Sequence, residues 1–372
     1  MKKTIVHIVP SLKKGGAERF TVNICNELST KEQYSVHLVS LFDNKNDHST
    51  FLSELDSKVK YVSLGKRPGF SLITLFKLYS TLKAITPDIV HTHINAFEYG
   101  LPYIVSSAGL FVHTIHSKAE KECPNKFIKT IRRRLYKKDS VIPVTISKDG
   151  SHTYRAYYKL NNDILIENGC PQVVSTKFFT NVEKEFSKKE TEYLLVHIGR
   201  IVEVKNQKLL IGAVNLYNSR HEKKIRLLIV GGIRDQVLFK ELNELIGSSE
   251  QILFVGDKNN VGDYLLLSDA FCLSSVYEGL PMSLIEAFSA GCIPTCTPVG
   301  GITEVIEDGV TGFLSSDMST ESYYNALYRN LHAPNRDHIK VNCLNAFEKK
   351  YSISACSAKY DGLYDSKIKS KK

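Results

Sequence analysis

Short apolar runs, many stopping at glycine or histidine and leading into a helical stretch, recur along the whole 372-residue chain. In the first half, residues 4–9 (TIVHIV) form such a run, followed by Gly15-Gly16 and a helix from Ala17 to about Leu28. Further strands are predicted at 35–41, 59–62, from Pro87-Asp88 to His91, at 110–115 beside His116, and at 141–145. Helices are predicted at 71–84, near 125–138 and from about Lys148. The second half repeats the pattern with strands at 193–198, 226–230, 251–255, 269–273 and 293–296. This alternation predicts α/β architecture with parallel sheets covered by helices on both faces. The chain is longer than one core usually holds, and residues 167–191 carry Asn168-Gly169, Pro171 and a charged run, which is linker chemistry. Two doubly wound, Rossmann-like domains of similar size with a cleft between them are expected, over 1–168 and 169–351.

Ligands in such sheets bind beyond the carboxyl ends of the strands. The stretch from Ser274 to Ala287 stands there, after the strand 269–273. It holds Glu278 and Glu286 eight residues apart, with Gly279, Leu280 and Pro281 between them. Proline suits a helix start, so the amides of Met282 and Ser283 are expected to face an anion. Arg200 and Lys205 lie in one loop after the strand 193–198, and forked plus point-charge contacts suit a diphosphate. Gly15 and Gly16 permit close backbone approach, although they form neither a GxGxxG nor a P-loop. His116 ends a strand, where an active-site group belongs, with His91, His93 and His113 as rivals and His113 expected to be packed.

No run of 18 apolar residues occurs, and the N-terminus lacks a cleavage-site pattern, so neither a membrane span nor a secretory leader is expected. The eight cysteines include no CxxC, which fits buried thiols in a reducing cytoplasm better than zinc or disulfides. Residues 1–170 hold 25 Lys and Arg against 15 Asp and Glu, so the whole net charge of +10 belongs to the first half. Such asymmetry points to membrane headgroups, a phosphorylated substrate or nucleic acid. The segment 126–138 sets apolar residues 127, 128, 131 and 135 among cations and reads either as an interfacial helix on anionic lipid or as a solvated surface helix. No nucleic-acid-binding motif accompanies it.

Taken together, HIVPSLKKGGAERF, PDIVHTH, VHTIHS, IENGC, HIGRIVEVKNQKLLIGAV, LLIVGG, FVG and SDAFCLSSVYEGLPMSLIEAFSAGCIPTCTPVGGITEVI resemble, in order and over nearly the whole chain, the GT4-type retaining glycosyltransferases of the GT-B fold. The resemblance implies an N-terminal acceptor-binding domain and a C-terminal nucleotide-sugar-binding domain. A C-terminal helix, about 352–372, would cross back onto the first. It implies that Gly16, beside Gly15, approaches the sugar-nucleotide diphosphate and that Arg200 and Lys205 neutralise it. Glu278 and the amides after it (Gly279, Leu280, Met282, Ser283) would hold the sugar and phosphate, and Glu286 the ribose. The backbone near Gly232, Val255 and Gly256 would meet the nucleotide. His116 would lie beside the anomeric centre, and His93 and Asn95 would stand on the acceptor side. No metal or other cofactor is expected, because preorganised cations can stabilise the leaving diphosphate. The implied partners are a nucleotide sugar, a glycan or lipid-linked acceptor and an anionic membrane surface, with no nucleic acid. The implied location is the cytoplasm, peripherally at the inner face of the plasma membrane. Overall resemblance points to a UDP-sugar, an N-acetylhexosamine among the candidates, ahead of GDP-mannose. A GT-B-fold nucleotide-sugar epimerase and a non-enzymatic module binding anionic lipid or nucleic acid are the alternatives. A hydrolase-like carboxylate pair is the rival reading of Glu278 and Glu286.

Overall fold

A computed structural model describes residues 2–43 and 50–370. The chain forms two compact units, one of residues 1–170 with 353–372 and the other of residues 171–352. Among the described residues the first unit carries the parallel strands β1 (Lys3–Val9), β2 (Tyr34–Phe42), β3 (Lys60–Lys66), β4 (Ile89–His93), β5 (Leu110–Ile115), β6 (Ile142–Thr145) and β7 (Ile164–Leu165), in the order β3-β2-β1-β4-β5-β6-β7. The second carries β8 (Glu192–Ile198), β9 (Lys224–Val230), β10 (Ile252–Gly256), β11 (Ala270–Leu273), β12 (Ile293–Cys296) and β13 (Phe313–Leu314), in the order β10-β9-β8-β11-β12-β13. Both orders run outward from the first strand of the unit and then return to its other side. That reversal creates a switch point beside β1 and another beside β8.

The central strands read as continuous apolar runs because both sheet faces are covered. Ile5, Val6, Ile8 and Val9 of β1 and Leu194, Leu195 and Val196 of β8 are fully buried. One face of the first sheet packs Leu78, Leu82, Phe97, Tyr136 and Tyr158 from its helices into a single cluster. The last helix, Ile353–Ser370, belongs to this unit, and Tyr360 and Tyr364 are fully buried in it.

The helix Lys126–Lys137 is more deeply docked than its charge suggests. Arg132 points inward, is fully buried, and donates through Nε to Glu98 Oε1 at 3.1 Å. Ile128, Ile131 and Leu135 are half-buried, which leaves Phe127 and the cations Lys126, Arg133, Arg134, Lys137 and Lys138 on the outside. All eight cysteines are free and buried. No described helix is long and apolar enough to cross a membrane.

Candidate active site

In the second unit two loops leave the switch point side by side, one after β8 and one after β11. The first runs through Gly199 and Arg200 to a short 3-10 turn at Glu203–Lys205, then to Asn206 in the left-handed region at φ 48°. Asparagine tolerates that conformation better than most side chains. The second runs from Ser274 to Pro281, which caps the helix Met282–Ser289. The loops are stitched together. Val276 N donates to Val204 O at 2.9 Å, and the buried Ser274 hydroxyl lies 3.0 Å from Lys205 O and 2.9 Å from Asn206 O.

These links bring Lys205 onto Glu278. Lys205 Nζ donates to Glu278 Oε1 at 2.6 Å, and Ser275 Oγ donates to the same oxygen at 2.6 Å. Ser275 is itself held by Thr297, whose hydroxyl donates to Ser275 O at 2.6 Å. The backbone of Glu278 is fixed by Gly301, which donates to Glu278 O at 3.2 Å. Gly300 has φ +50°, and a Cβ there would stand 2.0 Å from Glu278 O, so only glycine fits beside this turn.

A buried layer supports Arg200 and Lys205 from below. Cys272 O can only accept, so His197 Nδ1 carries the proton and donates to it at 3.0 Å. Gln207 Nε2 then donates to His197 Nε2 at 3.3 Å and to Arg200 O at 2.9 Å. Burial, reinforced by the Lys205 charge, lowers the His197 pKa to about 4, so the ring is neutral at pH 7. Ser274, Ser275, His197 and Gln207 lie within the quoted motifs but were given no role of their own. Their signal was position, beside Glu278, two residues before Gly199, or directly after Lys205-Asn206.

The other expected residues fall as follows. Arg200 is exposed, and its side chain makes no hydrogen bond or ion pair among the described residues. Leu280 and Met282 are buried and Gly279 and Ser283 half-buried around the start of the helix, where the first amides lack intrahelical acceptors. Glu286 is the fifth residue of that helix and half-exposed. Gly231 donates to Gly256 O at 2.9 Å, which sets Gly232 and the Val255-Gly256 end of β10 next to each other. A Cβ on Gly231 would stand 2.0 Å from Gly199 O, a second close approach that requires glycine.

In the first unit Gly15 caps the helix Gly16–Ser29 after β1. His116 follows β5, and its backbone N–H donates to Glu122 Oε2 at 2.9 Å. Its Nε2 is 3.0 Å from His93 Nδ1, and His93 Nε2 is 3.0 Å from His7 Nδ1. His113 is fully buried between Thr92 and Glu122. Of the two residues expected on the acceptor side, Asn95 is exposed and lines an open cavity of about 760 Å³ with Phe70, Tyr99, Lys66, Lys121 and Ile128. His93 does not line it, being fully buried with both ring nitrogens engaged by histidines. Between them Ile94 has φ +55°, an outlier for a β-branched residue and the kind of strain that clusters at functional sites.

Two parallel α/β units, with an ion pair and a helix N-terminus at the switch point of the second, form the kind of α/β protein that binds anionic ligands beyond its strand ends. Residues 14–168 match the family "Glycosyltransferase Family 4" and residues 178–341 match "Glycosyl transferases group 1". The chain is 24% identical to the capsular polysaccharide biosynthesis glycosyltransferase CapH of Staphylococcus aureus, over 92% of this chain and 94% of that one. It is 23% identical to the UDP-Gal:alpha-D-GlcNAc-diphosphoundecaprenol alpha-1,3-galactosyltransferase of Escherichia coli, over 91% and 90% respectively. The fold matches that of Alr3699/HepE of Anabaena, solved in complex with UDP and glucose, with a TM-score of 0.82 and 17% identity over 97% of this chain and 99% of that one. The chain belongs to the GT4-type glycosyltransferases of the GT-B fold.

Proposed function

We propose that the chain is a retaining, metal-independent glycosyltransferase. It moves a hexose or N-acetylhexosamine from a UDP-sugar to a glycan or lipid-linked acceptor in cell-surface polysaccharide synthesis. The observation that carries this reading is the Lys205–Glu278–Ser275 contact at the switch point, directly before the helix Met282–Ser289. The acceptor hydroxyl oxygen attacks the anomeric carbon on the face from which the diphosphate departs. The bond between that carbon and the phosphate oxygen breaks, its electron pair leaves with UDP, and the hydroxyl proton passes to the departing phosphate. Arg200, Lys205 and the amides of Met282 and Ser283 face the charge that develops on the diphosphate, the positive charge a metal would otherwise supply. Such donors act most strongly where water is excluded, roughly 3 kcal/mol each in comparable sites. Glu278 holds sugar hydroxyls and Glu286 the ribose, with Gly232, Val255 and Gly256 completing the nucleotide contacts.

The cavity beside Asn95 is assigned to the acceptor, and it favours transfer over interconversion of the donor. The stretch that follows Phe70, which lines that cavity, supports a lipid-linked acceptor. Phe70, Leu72, Ile73 and Phe76 are each at least 60% exposed, and Arg67 and Lys77 stand among them. Apolar side chains ringed by cations match an anionic membrane surface. On this reading the protein works at the cytoplasmic face of a membrane, with the segment around 70–76 entering the interface and the outer cations of 126–138 facing the headgroups.

Purified protein incubated with UDP-sugars and membrane-extracted acceptor is expected to release UDP and to form an α-linkage from an α-linked donor. An inverted product would overturn retention. Full activity in excess EDTA is expected; a loss restored by Mg²⁺ would overturn metal independence.

A further inference from the structure

The first unit holds a second open cavity, which the proposed reaction does not use. It measures about 600 Å³, inside the range of about 300–1,000 Å³ common to small-ligand sites. Ile104 and Val105 line it from the end of the helix Phe97–Ser106, and Ile131 and Leu135 from the helix Lys126–Lys137. Phe111, the second residue of β5, adds a ring, and Ser140 lines it shortly before β6 begins. The cavity therefore lies at the amino ends of β5 and β6. Asn95 and His116 follow the carboxyl ends of β4 and β5, so the cavity assigned to the acceptor is at the opposite end of the sheet. One helix serves both, with Ile128 on the acceptor cavity and Ile131 and Leu135 on this one.

Two exposed cations, Arg134 and Lys138, also line the cavity. No carboxylate lines it, and among the described residues neither cation's side chain makes a hydrogen bond or ion pair. Asp139, the acid next to Lys138, stays outside the lining and accepts from Asn162 at 3.2 Å. Cations in a last helical turn suit the helix dipole, so their charge alone would assign nothing. Their place beside an apolar cavity does. Four residues apart, they are neighbours on the helix surface and can share one anion. Their two full charges outweigh the roughly half negative charge of the helix end. Val105 is 71% exposed, and a hydrocarbon that covered it would remove apolar surface from water. A sugar or nucleotide would strand its polar groups against Ile104, Phe111 and Leu135. An anion that carries a hydrocarbon chain satisfies both parts of the lining.

We propose that this cavity binds one anionic phospholipid, with its phosphate between Arg134 and Lys138 and an acyl chain against Ile104, Val105, Phe111, Ile131 and Leu135. The choice of a phospholipid among anionic amphiphiles rests on the proposed work at a membrane face. The site goes beyond that reading, because it is discrete and saturable where a basic helix surface would be diffuse.

The test is isothermal titration calorimetry with dihexanoyl phosphatidylglycerol kept below its micelle concentration, so that no membrane is present. Saturable binding at one site is expected. It should be at least about fivefold tighter than that of dihexanoyl phosphatidylcholine, which carries no net charge. Glycerophosphoglycerol, the same headgroup without chains, should not bind detectably. Arg134→Ala/Lys138→Ala should weaken binding about 25-fold, about fivefold for each cation. Val105→Glu, at an exposed position, sets a carboxylate on the apolar lining and should weaken it at least about tenfold. Lys126→Ala/Lys129→Ala removes the same charge from the other end of the helix and should leave affinity within about twofold, since exposed charges beyond about 8 Å are largely screened. Absence of saturable binding, equal affinity for the two lipids, tight binding of the bare headgroup, or equal losses in the two lysine-arginine and lysine-lysine variants would each overturn the proposal. A protein that binds the lipid monomer but neither vesicles nor nucleotide sugars would overturn the functional reading and leave this site standing.

Discussion

Lys205→Ala separates the two things its ammonium does. In the structure the ammonium holds Glu278 at 2.6 Å, with the two side chains 16% and 13% exposed. Exposed pairs are worth about 0–1 kcal/mol, and breaking a fully buried pair costs about 3–5 kcal/mol, so this pair falls near 2 kcal/mol. The second effect appears in the transition state, where loss of one preorganised donor to the leaving group costs about 10²- to 10³-fold in kcat. The assay is steady-state UDP release, paired with urea unfolding. The expected variant is folded, modestly less stable, and slower by at least about 100-fold. Glu278→Gln should also be slow. The double variant should be far less impaired than the product of the two, because the residues act on each other directly. A folded Lys205→Ala enzyme with near-normal kcat would refute the diphosphate role. Strictly multiplicative effects in the double variant would show that the 2.6 Å contact plays no part in turnover.

Gly300→Ala should lower both stability and activity, because the new Cβ meets Glu278 O and left-handed backbone costs about 1–2 kcal/mol for a residue with a side chain. Gly309→Ala, at φ +78° with nothing within 4 Å, should show only the conformational cost, and equal behaviour of the two in urea unfolding and UDP release would contradict the close-approach argument. The buried histidines make the first unit acid-sensitive. The folded pKa values of His7 and His116 lie near 3 and 4, below the ordinary 6.5, so below pH 6.5 the unfolded chain binds more protons. Stability is complete above that pH and falls as pH drops toward 4, by up to roughly 1.4 kcal/mol per pH unit for each such histidine. A urea midpoint that stays level from pH 7.5 to 5 would count against this. Replacing Phe70, Ile73 and Phe76 by serine should lower binding to vesicles containing phosphatidylglycerol by about tenfold or more, at about 1.5–3 kcal/mol per fully buried side chain. Unchanged co-sedimentation would remove the membrane role of this patch.

The alternation of apolar runs and helices was enough to specify parallel α/β architecture, because strands buried on both faces leave an unbroken apolar signal. The site was legible where its residues cluster in sequence, as with Glu278, Pro281 and Glu286, or where a family pattern marks them. Its internal wiring was not. Ser275 reaches Glu278 only because a turn folds back over three residues, and Gln207 meets His197 only because β8 and the helix after it form a corner. Periodicity carries no record of such contacts. The segment 126–138 shows the opposite failure. Composition suggested cations on the outside, yet Arg132 turns inward to Glu98, since a long guanidinium can be buried when carboxylates meet it.

The last helix has a consequence for how the chain is made. Tyr364 reaches His91 and Tyr360 reaches Thr114, across 273 and 246 residues of sequence. The first unit is begun before the second is synthesised and finished after it. Its sheet must wait, with β4 and β5 uncovered on that side, while the whole second unit is synthesised. The second unit, residues 171–352, is continuous in sequence and free to fold first. Synthesis therefore runs in one direction and completion of the cores in the other. A pause before residues 353–372 are made would hold the first unit with that apolar face uncovered.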